Sequence, residues 1–355
     1  MTELIGDIYA LIGDYRNDEG DTSVQMRPER IKKWIDQFEE SDREFILTEL
    51  KVIFSQRYLS KAAVKKCLGE GLIYIQSNFG YKTVEELIKE TSFLNLQRAN
   101  KSQPTMLKIL NEVLNEKFDL DIASAGSVTV KNYLYLDDVL CTGNTFYQEI
   151  KRWVELPIND STNLKLLQTK KIRLWVLYLI IHRNNYLKKL YQFRMNIDND
   201  FEDCFTLMRF TEVENFPGGK LDLVFPIEDA DSNLISSYKE QVVTNVNKYC
   251  NEHSIRNAPE EFYRSANQPS QESFFSNAEN RKRFEWIILK KGIEILNRAS
   301  VNIPNLRALG YSLPSHKNFG FGTLSMTWRN IPNNCPLIFW YSGGGFFPLF
   351  VKHST

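Results

Sequence analysis

The sequence lacks an excess of charge of either sign. Lys+Arg and Asp+Glu number 44 each in 355 residues, for a formal net charge of +0, so no overall basic field recommends long nucleic acid as the main ligand. Paired cysteines are missing too. Cys67, Cys141, Cys204, Cys250 and Cys335 are scattered, with no CxxC pair and no histidine at metal-ligand spacing, which argues against a zinc site and reads as reduced thiols in a cytoplasmic protein. Histidine is scarce, and His182, His253, His316 and His353 lie far apart in sequence, none in a recognisable nucleophile setting. Long apolar runs are also absent. The most apolar stretch, 172–181, contains Arg173 and falls well short of the roughly 20 residues a membrane helix needs; it reads as a buried strand. The start, Met1-Thr2-Glu3-Leu4, has no basic stretch leading into an apolar core, so secretion is not expected. Gly343-Gly344-Gly345 lacks the spacing and following lysine of a nucleotide loop, and the acids Asp198, Asp200, Glu202 and Asp203 lack the central glycine and terminal glutamate of a calcium loop.

What is present supports a sizeable core. With 43% hydrophobic residues the chain is expected to form one larger α/β unit with helical additions. The first region, 1–90, reads as helical: Ile31, Trp34, Ile35 and Phe38 recur at helical spacing behind Pro28, and Ser41 with Glu44 forms a capping box ahead of Ile46, Leu50, Ile53 and Phe54. Such a region could serve as a nucleic-acid reader or a partner-docking layer. Its unbroken apolar stripes, and the acids near Lys32, Lys33, Lys61, Lys65 and Lys66, favour plain packing.

From 91 to 230 strands alternate with helices, the pattern of a mainly parallel sheet. A short strand at 92–96 precedes a polar loop at 97–104 and a helix from Thr105; further strands are expected at 171–181, 204–211 and 221–226, the last two split by Pro217-Gly218-Gly219. The remainder, 231–355, forms a C-terminal extension. It holds a polar loop at 265–272, a helix at 284–296 flanked by a basic, solvated face (Arg281, Lys282, Arg283, Lys290, Lys291), and two strands, 321–328 and 331–340, joined by a Pro-Asn-Asn turn.

The most informative segment is Leu134-Tyr135-Leu136-Asp137-Asp138-Val139-Leu140-Cys141-Thr142-Gly143-Asn144-Thr145. An apolar strand carries an acidic pair, and a small-residue turn then opens a helix. Such a turn places free backbone N–H groups and the helix dipole around one anion. Carboxylates about one turn upstream can accept hydrogen bonds from sugar hydroxyls.

This segment resembles the phosphoribosyl pyrophosphate (PRPP) signature of type I phosphoribosyltransferases: apolar residues, two acids, Val or Ile, any residue, two Ser/Thr, Gly, any residue, Thr. Cys141 departs from it, replacing one hydroxyl while keeping the backbone N–H. The preceding loop, Arg98-Ala99-Asn100-Lys101-Ser102-Gln103-Pro104, stands where those enzymes carry the loop that grips pyrophosphate. Together with Arg30-Ile31-Lys32-Lys33-Trp34-Ile35-Asp36-Gln37-Phe38 and the C-terminal stretch, the chain resembles the prokaryotic conflict-system branch called PRTase-CE. That resemblance implies a phosphoribosyltransferase-like parallel sheet flanked by helices, and an antiviral effector of the kind encoded beside retron reverse transcriptases, with such a complex as a partner. It implies that Asp137 and Asp138 hold the ribose and stabilise charge at C1. Cys141, Thr142, Gly143, Asn144 and Thr145 would bind the 5′-phosphate, and Lys101, Ser102 and Arg98 the diphosphate. Mg²⁺ would arrive with the substrate, without dedicated protein ligands. The acceptor is not legible: base transfer, hydrolysis and pure PRPP or nucleotide sensing all stay open, as does a homo-oligomer.

Overall fold

Residues 174–181 are apolar without a break, the composition of a strand buried on both faces, and they form the middle of the sheet. The computed structural model describes residues 1–98, 101–158, 160–216, 218–228, 232–256, 258–300 and 303–352. In chain order these contain α1 (Thr2–Ile12), α2 (Pro28–Ile35), α3 (Glu40–Arg57), β1 (Tyr58–Leu59), α4 (Lys61–Asn78) and α5 (Val84–Lys89). There follow β2 (Thr91–Leu94), α6 (Ser102–Phe118), β3 (Asn132–Leu140), α7 (Asn144–Glu155), β4 (Pro157–Ile158), β5 (Ser161–Thr162), α8 (Asn163–Gln168), β6 (Arg173–His182), α9 (Arg183–Asn196) and β7 (Phe205–Val213). The last part holds α10 (Asn233–Glu252), α11 (Ala278–Ala299), β8 (Met326–Thr327) and α12 (Leu337–Trp340).

The chain is α/β, and its contacts divide it into two units: Lys61–Val213, and Met1–Ser60 together with the chain from Glu214. The first carries a parallel sheet in the order β2-β3-β6-β7. Side chains alternate across a strand, and β6 buries both sets. Val176 and Tyr178, with Tyr135 of β3, pack against Phe146 and Ile150 of α7, Phe193 of α9, and Phe201. Trp175 meets Phe79, just past α4, with ring centroids 5.0 Å apart. A Cβ at Gly71 of α4 would stand 2.9 Å from a Leu177 methyl, so α4 approaches β6 most closely at a residue without a side chain.

The second unit is built from both ends of the chain. Trp34 donates its indole N–H to the Ile338 carbonyl at 2.8 Å and stacks on Phe339, and β1 pairs in parallel with β8. Arg281, fully buried, donates to the carbonyls of Leu221 and Leu223 and pairs with Glu272 and Glu285. Burial pushes the Glu285 carboxyl up to about 7 against the pull of Arg281 and Arg264.

Several sequence expectations need correction. Arg281 belongs to no solvated face: it is the buried tie just described. Segment 221–226 is irregular, held by the single bridges Asn215–Leu221 and Leu223–Thr323 in place of a strand ladder. Of the two C-terminal strands only Met326–Thr327 forms, and the run Leu337-Ile338-Phe339-Trp340 is helical. Ser41 lies inside the first turn of α3, whose N-cap is Glu39 with no side-chain cap bond, so no capping box forms. Pro217, Ala99, Asn100 and His353 lie outside the described residues. Among the described residues, no helix is long and apolar enough to cross a membrane.

Candidate functional site

Strand β3 lies between β2 and β6: β2 pairs with it as far as Tyr135, and β6 runs on beside it to Leu140 and holds its C-terminal end. In open α/β sheets ligands bind outside those carboxyl ends. Asp137 and Asp138 sit near that end, each 5% exposed. Three residues after the strand, Gly143 turns left-handed at φ +72° and caps the 12-residue α7. Only glycine adopts that conformation without strain. As in any helix, the first-turn amides of α7 have no acceptor within the helix, and Gly143 offers no side chain to cap them.

Asp137 is densely bonded. Ser102 donates its hydroxyl to Oδ1 at 2.6 Å, Gln97 donates its amide to Oδ2 at 2.7 Å, and the Asp138 N–H donates to Oδ1 at 2.9 Å. Burial and the like charge of Asp138 nevertheless raise its pKa, because together they outweigh those three donors. Beside it the Tyr135 hydroxyl donates to Glu149 at 2.8 Å, and burial raises the Glu149 carboxyl as well. A buried glutamine organises the approach. Gln103 accepts from the Leu96 and Gln97 amides at 2.6 and 3.1 Å and donates to the Leu136 carbonyl at 3.3 Å, tying the end of β2, the first turn of α6 and β3 together.

One face of α9 supports the turn from the other side. His182, which precedes the helix, has Nδ1 2.8 Å from the Leu140 carbonyl, and Asn185 donates to the Cys141 carbonyl at 2.7 Å. Lys189 continues the stripe: a Cβ at Gly143 would meet its Cγ at 2.7 Å, and its Nζ donates to Asn144 Oδ1 at 2.5 Å and Gln192 Oε1 at 2.9 Å. The residue is only 8% exposed.

The structure brings Asp137, Asp138, Cys141, Thr142, Gly143, Asn144 and Thr145 onto one strand, turn and helix start, with Asn144 and Thr145 exposed and Cys141 and Thr142 half-buried. It also brings Ser102 against Asp137. Helix α6 begins at Ser102, earlier than the expected Thr105, because proline is tolerated in a first turn and Pro104 falls there. Lys101 is its exposed N-cap, joined to the exposed Arg98 by a backbone bond at 3.0 Å, and among the described residues neither side chain forms a hydrogen bond or ion pair with the acidic pair. Sequence reasoning missed Gln97, Gln103, Glu149, Asn185 and Lys189. Two signals were there: Glu149 interrupts the apolar stripe of Phe146, Ile150 and Trp153, and positions 182, 185 and 189 share one helical face.

Among the described residues no group of three or more His, Cys, Asp or Glu is arranged to hold a metal. A separate surface cavity of about 600 Å³ in the other unit is lined by Phe38, Asp42, Arg283, Trp286, Lys290 and Glu294 among others. It mixes both signs of charge and offers none of the groups just described.

No curated protein and no solved structure matches the chain. A sequence model of the family described as PRTase-CE matches residues 31–352, which takes in all of Lys61–Val213, most of the other unit, and the whole strand, turn and helix of the acidic pair. The chain therefore belongs to the PRTase-CE family and is a phosphoribosyltransferase-like protein.

Proposed function

We propose that the chain is an antiviral defence effector that binds PRPP or a ribose-phosphate nucleotide and cleaves or transfers at ribose C1. The observation that carries this reading is the pair of buried carboxylates just ahead of a left-handed glycine that opens a helix. Breaking the C1–O bond builds positive charge on the ribose ring, and carboxylates held in a water-poor pocket stabilise such charge more strongly than they would in water. Asp138 and Asp137 are assigned the ribose hydroxyls and that charge. As neighbours in a strand they leave opposite faces of the backbone, so their tasks differ: Asp137 is preorganised by Ser102 and Gln97, and Asp138 is the nearer fit to a sugar at the turn.

Cys141 to Thr145 take the 5′-phosphate through their amides and the hydroxyls of Thr142 and Thr145. The start of α6, with Ser102, Lys101 and Arg98, takes the diphosphate. Mg²⁺ carried in on that diphosphate, with no dedicated protein ligand, would supply neutralisation of charge on the leaving group. The defence role, and a retron-type reverse transcriptase complex as partner, rest on the family resemblance alone.

A second reading is a sensor of PRPP or nucleotide that turns nothing over. It is favoured by the saturation of Asp137 with protein donors, which leaves that acid a scaffolding role. Calorimetric titration with PRPP and nucleotides, run beside product analysis, separates the two. The enzyme reading expects binding, release of pyrophosphate or free base, and loss of both product and antiviral protection in the folded Asp137→Asn/Asp138→Asn variant. Binding without product favours the sensor. Normal protection by the double variant overturns the catalytic assignment.

A further inference from the structure

Lys189 is a cation in an electrostatically unfavourable place. Its stem lies across Gly143 and its ammonium stands at the N-terminal turn of α7, the positive pole of that helix, where a second positive charge is repelled. Burying a charge without an opposite partner costs several kcal/mol. Here the residue is 8% exposed, and its two hydrogen bonds go to the neutral oxygens of Asn144 and Gln192. Among the described residues no carboxylate pairs with it, and the Tyr147 ring, 5.9 Å away, is a weak substitute. Desolvation, with Lys188 adding to it, lowers its pKa.

The same geometry suits a doubly charged oxyanion. A phosphate seated on the first-turn amides of α7 would find the ammonium alongside, and Asn144, exposed on the helix start, is free to swing off it. His182 and Asn185, bonded to the carbonyls of Leu140 and Cys141, fix α9 so that Lys189 cannot drift from the turn. We propose that Lys189 is the side-chain cation of the phosphate subsite, held on Asn144 until the phosphate of a ribose 5-phosphate moiety displaces it. The inference rests on the ribose-phosphate reading above and deepens it: the subsite demands a phosphorylated sugar, and its charge comes from α9, the helix that follows the neighbouring sheet strand β6.

The test is calorimetric titration of the full chain with ribose 5-phosphate, PRPP and unphosphorylated ribose. Lys189→Met keeps the stem on Gly143 and removes the charge; it should weaken ribose 5-phosphate by about tenfold to a hundredfold, the worth of a charge-assisted hydrogen bond. Lys189→Arg should recover most of that affinity, which a role in packing alone would not predict. Lys189→Gln serves as the second neutral variant should the methionine variant fail to fold. The wild type should lose affinity with added salt more steeply than either neutral variant. Neutral variants that fold and bind ribose 5-phosphate as tightly as the wild type overturn the assignment of Lys189 and leave the ribose-phosphate reading standing. A wild type that binds neither ribose 5-phosphate nor PRPP overturns both.

Discussion

Asp137 is an acid whose charge is opposed twice, by burial and by Asp138 beside it, and its pKa is pushed up to about 7. A carboxylic acid whose folded value exceeds its unfolded value of about 3.9 binds its proton more tightly when folded. Stability from that proton is complete below the unfolded value and is lost as pH rises through the folded one. Replacing Asp138 by Asn removes the like charge, keeps an oxygen for the Val139 amide it now accepts from, and lets Asp137 fall part of the way back, with burial, the larger cause, still holding it up. The variant should therefore gain stability over the wild type at pH 8, by about 2–4 °C for each kcal/mol recovered, and gain little at pH 4, where Asp137 is protonated in both. Thermal melts at the two pH values check this; a gain equal at both would show that the like charge is not what raises Asp137. The adjacency of the two acids was plain in the sequence. Their burial was not, since the covering residues Gln97 and Ser102 come from a segment 35 to 40 positions away.

At the scale of elements, the acidic site depends on how β2 hands over to α6. Gln103 makes that join by accepting two amides and donating to the Leu136 carbonyl from a fully buried position. Gln103→Leu preserves the volume and strands those groups, at about 1–3 kcal/mol for each that stays dry. Urea denaturation should report a loss of about 2–4 kcal/mol in total, and Gln97 should release Asp137. A loss below about 1 kcal/mol would mean that water replaces the glutamine. The strand, turn and helix of the signature were legible because apolar content, an acidic pair and Thr-Gly-Asn-Thr all agree there. The run Leu337-Ile338-Phe339-Trp340 misled because four apolar residues carry no period that separates strand from helix; packing of Trp34 and Phe350 backbone and side chain against it decides the matter. Arg281 misled for a related reason: its neighbours Lys282 and Arg283 suggest a solvated face, and only the folded positions of Glu272 and Glu285 make it a core residue.

For the molecule as a whole, the unit formed by Met1–Ser60 and the chain from Glu214 closes only when the two ends of the sequence meet. Gln37 exchanges two hydrogen bonds with the Phe347 backbone, each 2.8 Å, and Tyr15 donates its hydroxyl to the Val351 carbonyl at 2.8 Å. Phe350 is the centre of this closure: fully buried, edge-on to Tyr15 at 4.8 Å and to Phe54 at 5.9 Å, with its N–H on the Phe339 carbonyl. Removing a ring from such a site leaves a cavity between elements that meet only in the finished fold, so Phe350→Ala should cost about 3–5 kcal/mol. Phe216→Ala is the control, because its ring is 63% exposed and its loss should fall within about 0.5 kcal/mol. Chemical denaturation of both variants checks the pair. Equal, small losses would mean that the last residues only lie against a unit already complete without them, whereas a large loss confined to Phe350→Ala makes the C-terminal end a structural part of the N-terminal helices.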